Sequence, residues 1–153
     1  MASLIKVTTV GDANSIKRGL RVAAAGIKRT RIPNRQISVW LLRWVNENFK
    51  SQGGKVGGWK PFKLGGRRLP GGQIDRSAKL LQDTGRLRAS FSPFHSRRFA
   101  GVRSRLPYSI THDLGLPHRN LPARRMIPIG SDQDVRRAVI RIYSAHIRKV
   151  TRK

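Results

Sequence analysis

Between Pro33 and Lys50 the sequence carries a single apolar face. Ile37, Trp40, Leu41, Trp44, Val45 and Phe49 recur every three or four residues. That period is the helical one, so the segment predicts an amphipathic helix whose stripe must be covered to be stable. Pro33 and Asn34 open it, because a proline in the first turn lacks only an N–H that would have no partner inside the helix. Arg43 and Glu47 form a candidate i,i+4 pair on the opposite side. Trp40 and Trp44 read as core packing, with base stacking or a subunit contact as the alternatives. No other stretch is as regular, so any core must be built around this helix.

Little else is available to build it. Hydrophobic residues make up 38% of the 153 residues, and 33 Lys+Arg face 7 Asp+Glu for a formal net charge of +26. The length suits one domain with a small core. So much like charge repels itself unless a polyanion, or an assembly containing one, screens it. That argues against an ordinary soluble enzyme for small neutral substrates. Without cysteine, disulfides, thiol catalysis and Cys-based zinc sites are excluded. No apolar run has transmembrane length, and Met1 to Val10 lacks the basic-then-apolar order of a signal peptide. The expected place of action is inside a cell or in a particle assembled there, with no membrane contact.

Ser3 to Val10 reads as a short strand. Asp12 or Asn14 then caps a basic first helix with Ile16, Leu20, Ala23, Ala24 and Ile27 at helical spacing. Residues 53–76 are of another kind. Eight of the 15 glycines fall between Gly53 and Gly72, interspersed with Lys55, Lys60, Lys63, Arg67, Arg68 and Arg76. Trp59 and Phe62 are the main candidate anchors. This composition reads either as a flexible surface loop or as a basic loop that orders against nucleic acid or a neighbouring subunit. Ser77 to Leu81 suggests a helical turn. Residues 86–91 and 99–105 suggest parts of a small antiparallel sheet. Four prolines break residues 106–130 into loop and edge structure. Ser131 caps a last helix, with Asp132 and Asp134 at its positive end and Val135, Ala138, Val139, Ile142 and His146 at helical spacing.

The residues offer no convincing catalytic set. His112-Asp113 near Ser109 invites a triad, but one loop cannot easily bring all three groups into geometry. A metal site at His112 and His118 lacks further ligands with recognisable spacing. The glycine pairs do not form a P-loop. The positive charge is the strong signal. Duplex DNA carries about one negative charge per 1.7 Å of axis, and charge spread along the whole chain suits backbone contact better than base reading. On composition alone a ribosomal, RNA-binding protein comes first, with a non-specific DNA-binding protein beside it.

The order of motifs after residue 53 points elsewhere. Gly58-Trp59-Lys60-Pro61-Phe62 is followed by Leu80-Leu81-Gln82-Asp83-Thr84-Gly85-Arg86-Leu87-Arg88-Ala89-Ser90. Then come Tyr108-Ser109-Ile110-Thr111-His112-Asp113-Leu114-Gly115 and Leu121-Pro122-Ala123-Arg124. This ordered set, centred on Leu-x-Asp-Thr-Gly-x-Leu, resembles the phage virion morphogenesis family, which includes tail-completion proteins. The likeness covers most of the chain. It departs at Arg125, where an apolar residue or proline usually follows, at the missing Asp before Gly-Trp, and in the basicity of the glycine-rich loop.

The resemblance implies a structural virion protein at the head–tail neck, with no enzymatic activity, cofactor or metal. Related neck and tail-terminator proteins form rings, often hexamers, around the DNA passage. Expected partners are therefore further copies, other neck, tail and connector proteins, and duplex DNA without sequence preference. The expected location is the virion neck, with the host cytoplasm during assembly. The resemblance marks Trp59, Asp83, Thr84, Gly85, Leu87, Tyr108, His112, Gly115, Pro122 and Arg124 as structural motif residues. The charge pattern marks Lys55, Lys60, Lys63, Arg67 and Arg68 as the candidate DNA or partner contacts. Secondary candidates are Lys17, Arg18, Arg21, Arg136, Arg137 and Arg141. The expected fold is α+β: amphipathic helices on a small, mostly antiparallel sheet, with a long basic Gly-rich loop at 53–76 in one domain. Its expected core is Ile16, Leu20, Ile27, Ile37, Trp40, Leu41, Trp44, Phe49, Val139 and Ile142.

Overall fold

The apolar stripe becomes a 20-residue helix, α1, spanning Arg31–Lys50. The computed structural model describes Arg21 and residues 30–152. The expected first strand, most of the first helix, its core candidates Ile16, Leu20 and Ile27, and the cations Lys17 and Arg18 lie outside the described residues. Helix α1 begins two residues before Pro33. Pro33 still sits in the first turn, where backbone N–H groups lack intrahelical acceptors.

Four strands and three further helices follow. The strands form two antiparallel pairs, so the α+β expectation holds. Strand β1 (Arg67–Arg68) pairs with β2 (Ile74–Asp75), and β3 (Phe91–His95) pairs with β4 (Ala100–Ser104) in the register Phe91↔Ser104 to His95↔Ala100. Helix α2 is the single turn Arg86–Ala89, α3 is Tyr108–Leu114, and α4 is Gln133–Thr151. Helix α1 packs against β3, β4 and α4.

One core forms at the C-terminal half of α1. Trp44, Val45 and Phe49 meet Trp59, Leu80, Leu87, Phe91 and Met126. Phe49 stands edge-to-face with Trp59 at 5.2 Å between centroids and is tilted against Phe91 at 5.8 Å. Such geometry sets the positive edge of one ring against the negative face of another. A second cluster joins Ile37 and Leu41 to Val135, with Trp40, Val139 and Ile142 half-buried around it. Within the described residues the expected core therefore holds. The irregular middle of the chain supplies five more members: Trp59, Leu80, Leu87, Phe91 and Met126.

Buried amides hold the elements in register. Asn34 donates through Nδ2 to the Ser96 carbonyl and accepts from the Tyr143 hydroxyl at 2.6 Å, joining α1, the β3–β4 turn and α4. Asn48 and Trp59 both donate to the Arg125 carbonyl, at 3.0 and 2.9 Å. Asn48 Oδ1 also accepts the Lys55 amide. An amide this deep is costly unless it is bonded, so these contacts fix where the loops lie.

Several local expectations change. Residues 86–89 form α2 rather than a strand, because Gly85 at φ +72° turns the chain and Leu87 then enters the core. Residues 77–81 form turns and not a helix, since Leu81 is left-handed at φ +60°. Residues 106–130 contain α3, because the prolines at 107 and 117 bracket that helix rather than interrupt it. Asp132, not Ser131, is the residue before α4; its carboxylate accepts from Ile129 N–H and from Arg125. Glu47 pairs with Lys55 at 3.1 Å rather than with Arg43.

The glycine-rich segment also carries structure. A 3-10 turn at Gly54–Val56 is flanked by left-handed Gly53 and Gly57, and the β1–β2 hairpin follows.

Trp44 is 2% exposed, so Trp44→Ala loses about 3–5 kcal/mol in urea unfolding, enough to unfold a marginal domain. A stable, folded variant would remove Trp44 from the core. The glycines flanking the 3-10 turn separate backbone strain from crowding. A Cβ at Gly53 would lie 2.4 Å from the Trp59 ring, whereas one at Gly57 meets nothing within 4 Å. Gly57→Ala therefore costs about 1–2 kcal/mol for left-handed backbone alone, and Gly53→Ala costs clearly more. Equal losses would mean that the indole yields freely.

Candidate functional site

The motif segments, far apart in sequence, come together as the walls of one open groove of about 950 Å³. Two glycines make this possible. Gly85 starts the turn into α2. Gly115 ends α3 at φ +76°, and a Cβ there would meet the Ala123 amide at 2.6 Å. Reciprocal bonds between Leu116 and Leu121 then fold the chain back, and the Arg124 amide donates to the His112 carbonyl at 2.9 Å. Asp83, Thr84, Gly85, Leu87, Tyr108, His112, Gly115, Pro122 and Arg124 all line the groove. Trp59 does not. It lies in the core beneath, anchored to Arg125.

Lys60, Lys63 and Arg67, three of the five loop cations, also line it. Lys79 and Arg86 join them. They flank Asp83-Thr84-Gly85 in the sequence, which was the available signal for them. With Arg124 this makes six cations against one carboxylate, Asp83, and Asp83 is ion-paired to Arg67. The other two loop cations lie apart. Lys55 is held by Glu47 at 3.1 Å and approaches Asp134 at 4.0 Å. Arg68 is exposed on β1. Of the secondary candidates, Arg136, Arg137 and Arg141 are exposed along α4, and Arg21 is exposed.

Arg124 is the buried cation of the site, with 8% of its surface exposed. Its Nε–H donates to the Lys60 carbonyl at 3.1 Å. Burial lowers its pKa below the usual guanidinium range. His112 is pushed down as well, first by burial and then by the neighbouring Arg124 charge. Its ring meets Tyr108 edge-on at 6.1 Å. Three buried side-chain nitrogens among the described residues lack a hydrogen-bond partner, and two of them, His112 Nδ1 and Arg67 Nε, belong to residues lining this groove. The third is Trp44 Nε1 in the core.

The catalytic reading does not assemble. Asp113 Oδ1 accepts the amides of Met126 at 2.6 Å and Ile127 at 3.2 Å, so its carboxylate braces the backbone. Among the described residues no group of three or more His, Asp or Glu side chains could hold a metal ion. The groove has apolar walls, a cationic rim and one desolvated guanidinium.

The depressed His112 pKa makes stability pH-dependent. The unfolded chain takes up a proton near the ordinary value of 6.5, whereas the folded chain resists it. The unfolded state therefore binds more protons as pH falls, and stability drops below about that pH. His112→Gln should lose less melting temperature than the wild type between about pH 7.5 and pH 5.5. An identical acid loss in both proteins would show that His112 titrates normally.

No helix among the described residues is long and apolar enough to cross a membrane. Comparison with curated proteins and with solved structures gave no significant match. Comparison with family profiles did: residues 12–148 match the phage virion morphogenesis family. That span includes α1, the groove and nearly all of α4. The chain therefore belongs to the phage virion morphogenesis family, and is a structural and assembly protein of a phage particle.

Proposed function

We propose that the protein completes the tail at the head–tail neck, as a homo-oligomeric ring, six-fold by preference, around the DNA path. The observation that carries this reading is unneutralised surface charge. Of the Lys and Arg side chains among the described residues, Lys55, Arg67 and Arg125 are ion-paired to carboxylates. The remaining cations belong to a chain of net charge +26. A ring of such chains is self-repelling until polyanionic DNA or an acidic neighbouring ring screens it. Backbone contact asks for positive charge without base reading, and this surface offers that.

Material for subunit contacts is present too. Helix α1 leaves Ile32 and Val39 exposed, and α4 leaves Ile140 and Ile147 exposed. In the proposed ring these four residues are the apolar surface offered to neighbouring copies. In this reading the ring assembles in the host cytoplasm and stays in the virion, with no catalytic step.

Lys55, Lys60, Lys63, Arg67 and Arg68 are the proposed contacts to DNA phosphates or to an acidic ring. Changing all five to Gln leaves the fold intact, because their ion pairs are surface pairs worth about 0–1 kcal/mol each. The log–log salt slope of duplex DNA binding should then fall by about 0.9 for each phosphate the variant no longer neutralises. Head–tail joining should fail in complemented phage. An unchanged slope with normal particle yield would move the functional charge to Lys17, Arg18, Arg21, Arg136, Arg137 and Arg141. Native mass spectrometry and gold labelling of particles check the ring and its place. A strictly monomeric protein, or label away from the neck, would end this reading.

A further inference from the structure

Arg124 has no counter-charge among the described residues: its side chain bonds the Lys60 carbonyl, and no carboxylate pairs with it. A guanidinium withdrawn from water without an anion is costly, and a partner that brings the anion returns the cost. His112 Nδ1 and Arg67 Nε, buried and unpartnered, belong to the same groove. Between these polar groups the walls are apolar, with Phe62, Leu87 and Leu121 lining them and Leu114, 68% exposed, at the rim.

We infer that this groove docks an acidic, aliphatic segment of a different virion protein, with one carboxylate of that segment on Arg124. A planar guanidinium matches a carboxylate in a bidentate fork, and apolar walls match aliphatic side chains on either side of it. A DNA strand fits less well, because its sugars and successive phosphates would leave those walls without apolar cover. A second copy of this chain fits poorly as well. All six described acids are engaged already. Glu47 and Asp134 face Lys55, Asp83 holds Arg67, and Asp132 holds Arg125. Asp75 accepts from Ser77, and Asp113 from two backbone amides. The seventh acid, Asp12, lies outside the described residues. A second copy would also bring its own +26 charge to a cationic rim. The inference goes beyond the neck reading, since it names a protein contact that stands whether or not the ring touches DNA.

The test uses a fluorescein-labelled peptide alternating leucine and glutamate, its leucine–glutamine counterpart, and a short DNA duplex. Binding is followed by anisotropy, and the site by the arginine Nε–H resonances of nitrogen-15-labelled protein. The glutamate peptide should bind saturably and move the Arg124 signal, and the glutamine peptide should not. Arg124→Gln should weaken binding at least about tenfold. Since that variant also removes the bond to Lys60, Leu114→Glu serves as a second probe. It alters only an exposed rim position and should weaken binding too. Equal binding of both peptides, or saturable binding with Arg124 unmoved, overturns the inference. So does full binding by Leu114→Glu. A duplex that moves Arg124 and displaces the peptide makes the groove a phosphate site. Concentration-dependent movement of Arg124 in the protein alone makes it a contact between copies. Either result also rejects the proposal.

Discussion

The carbonyl of Arg125 receives both the Asn48 amide and the Trp59 indole N–H, and much of the structure depends on that shared acceptor. It ties the end of α1 to the glycine-rich segment and to the irregular run before α4. Around it Phe49, Trp59, Phe91 and Met126 close the main core. A chain with few apolar residues cannot lean on burial alone. Polar bonds buried at the core's edge fix the position of irregular segments that have no periodicity of their own. Arg125 thereby has a role at a position where the family resemblance anticipates a proline or an apolar residue. Its carbonyl carries the core contacts, and its side chain pairs with Asp132 at the start of α4.

The groove is a consequence of this anchoring. Once Trp59 is fixed below, Lys60 to Lys63 run along one wall. Once Gly115 turns the chain, Arg124 lies beside His112 on another. Among the described residues, the fold that buries Arg124 brings no carboxylate to it. Few acids are available, and the six among the described residues are engaged by backbone amides, by Ser77 and by three cations. Among the described residues most Lys and Arg side chains therefore have no carboxylate beside them, in a chain that belongs to the phage virion morphogenesis family.

Helix α1 and helix α4 are legible because their apolar residues repeat at the helical period, and the interior they create follows from that period. The net charge is legible for a simpler reason: no arrangement of seven acids can offset 33 cations. The motif order leads to the family without any geometry. Residues 86–89 and 108–114 differ from expectation because short elements carry no full period. Their fate is set by a left-handed Gly85 and by where prolines fall relative to a helix end.

The sequence alone therefore determined the central helix, the large positive charge and the family. Only the tertiary structure decided which cations lie together. Lys60, Lys63 and Arg67 meet Arg124 across more than fifty residues, while Lys55, five positions from Lys60, is drawn off to Glu47. The physical reason is that a charge's environment depends on burial and on neighbours brought near by folding. Neither quantity is a property of spacing along the chain.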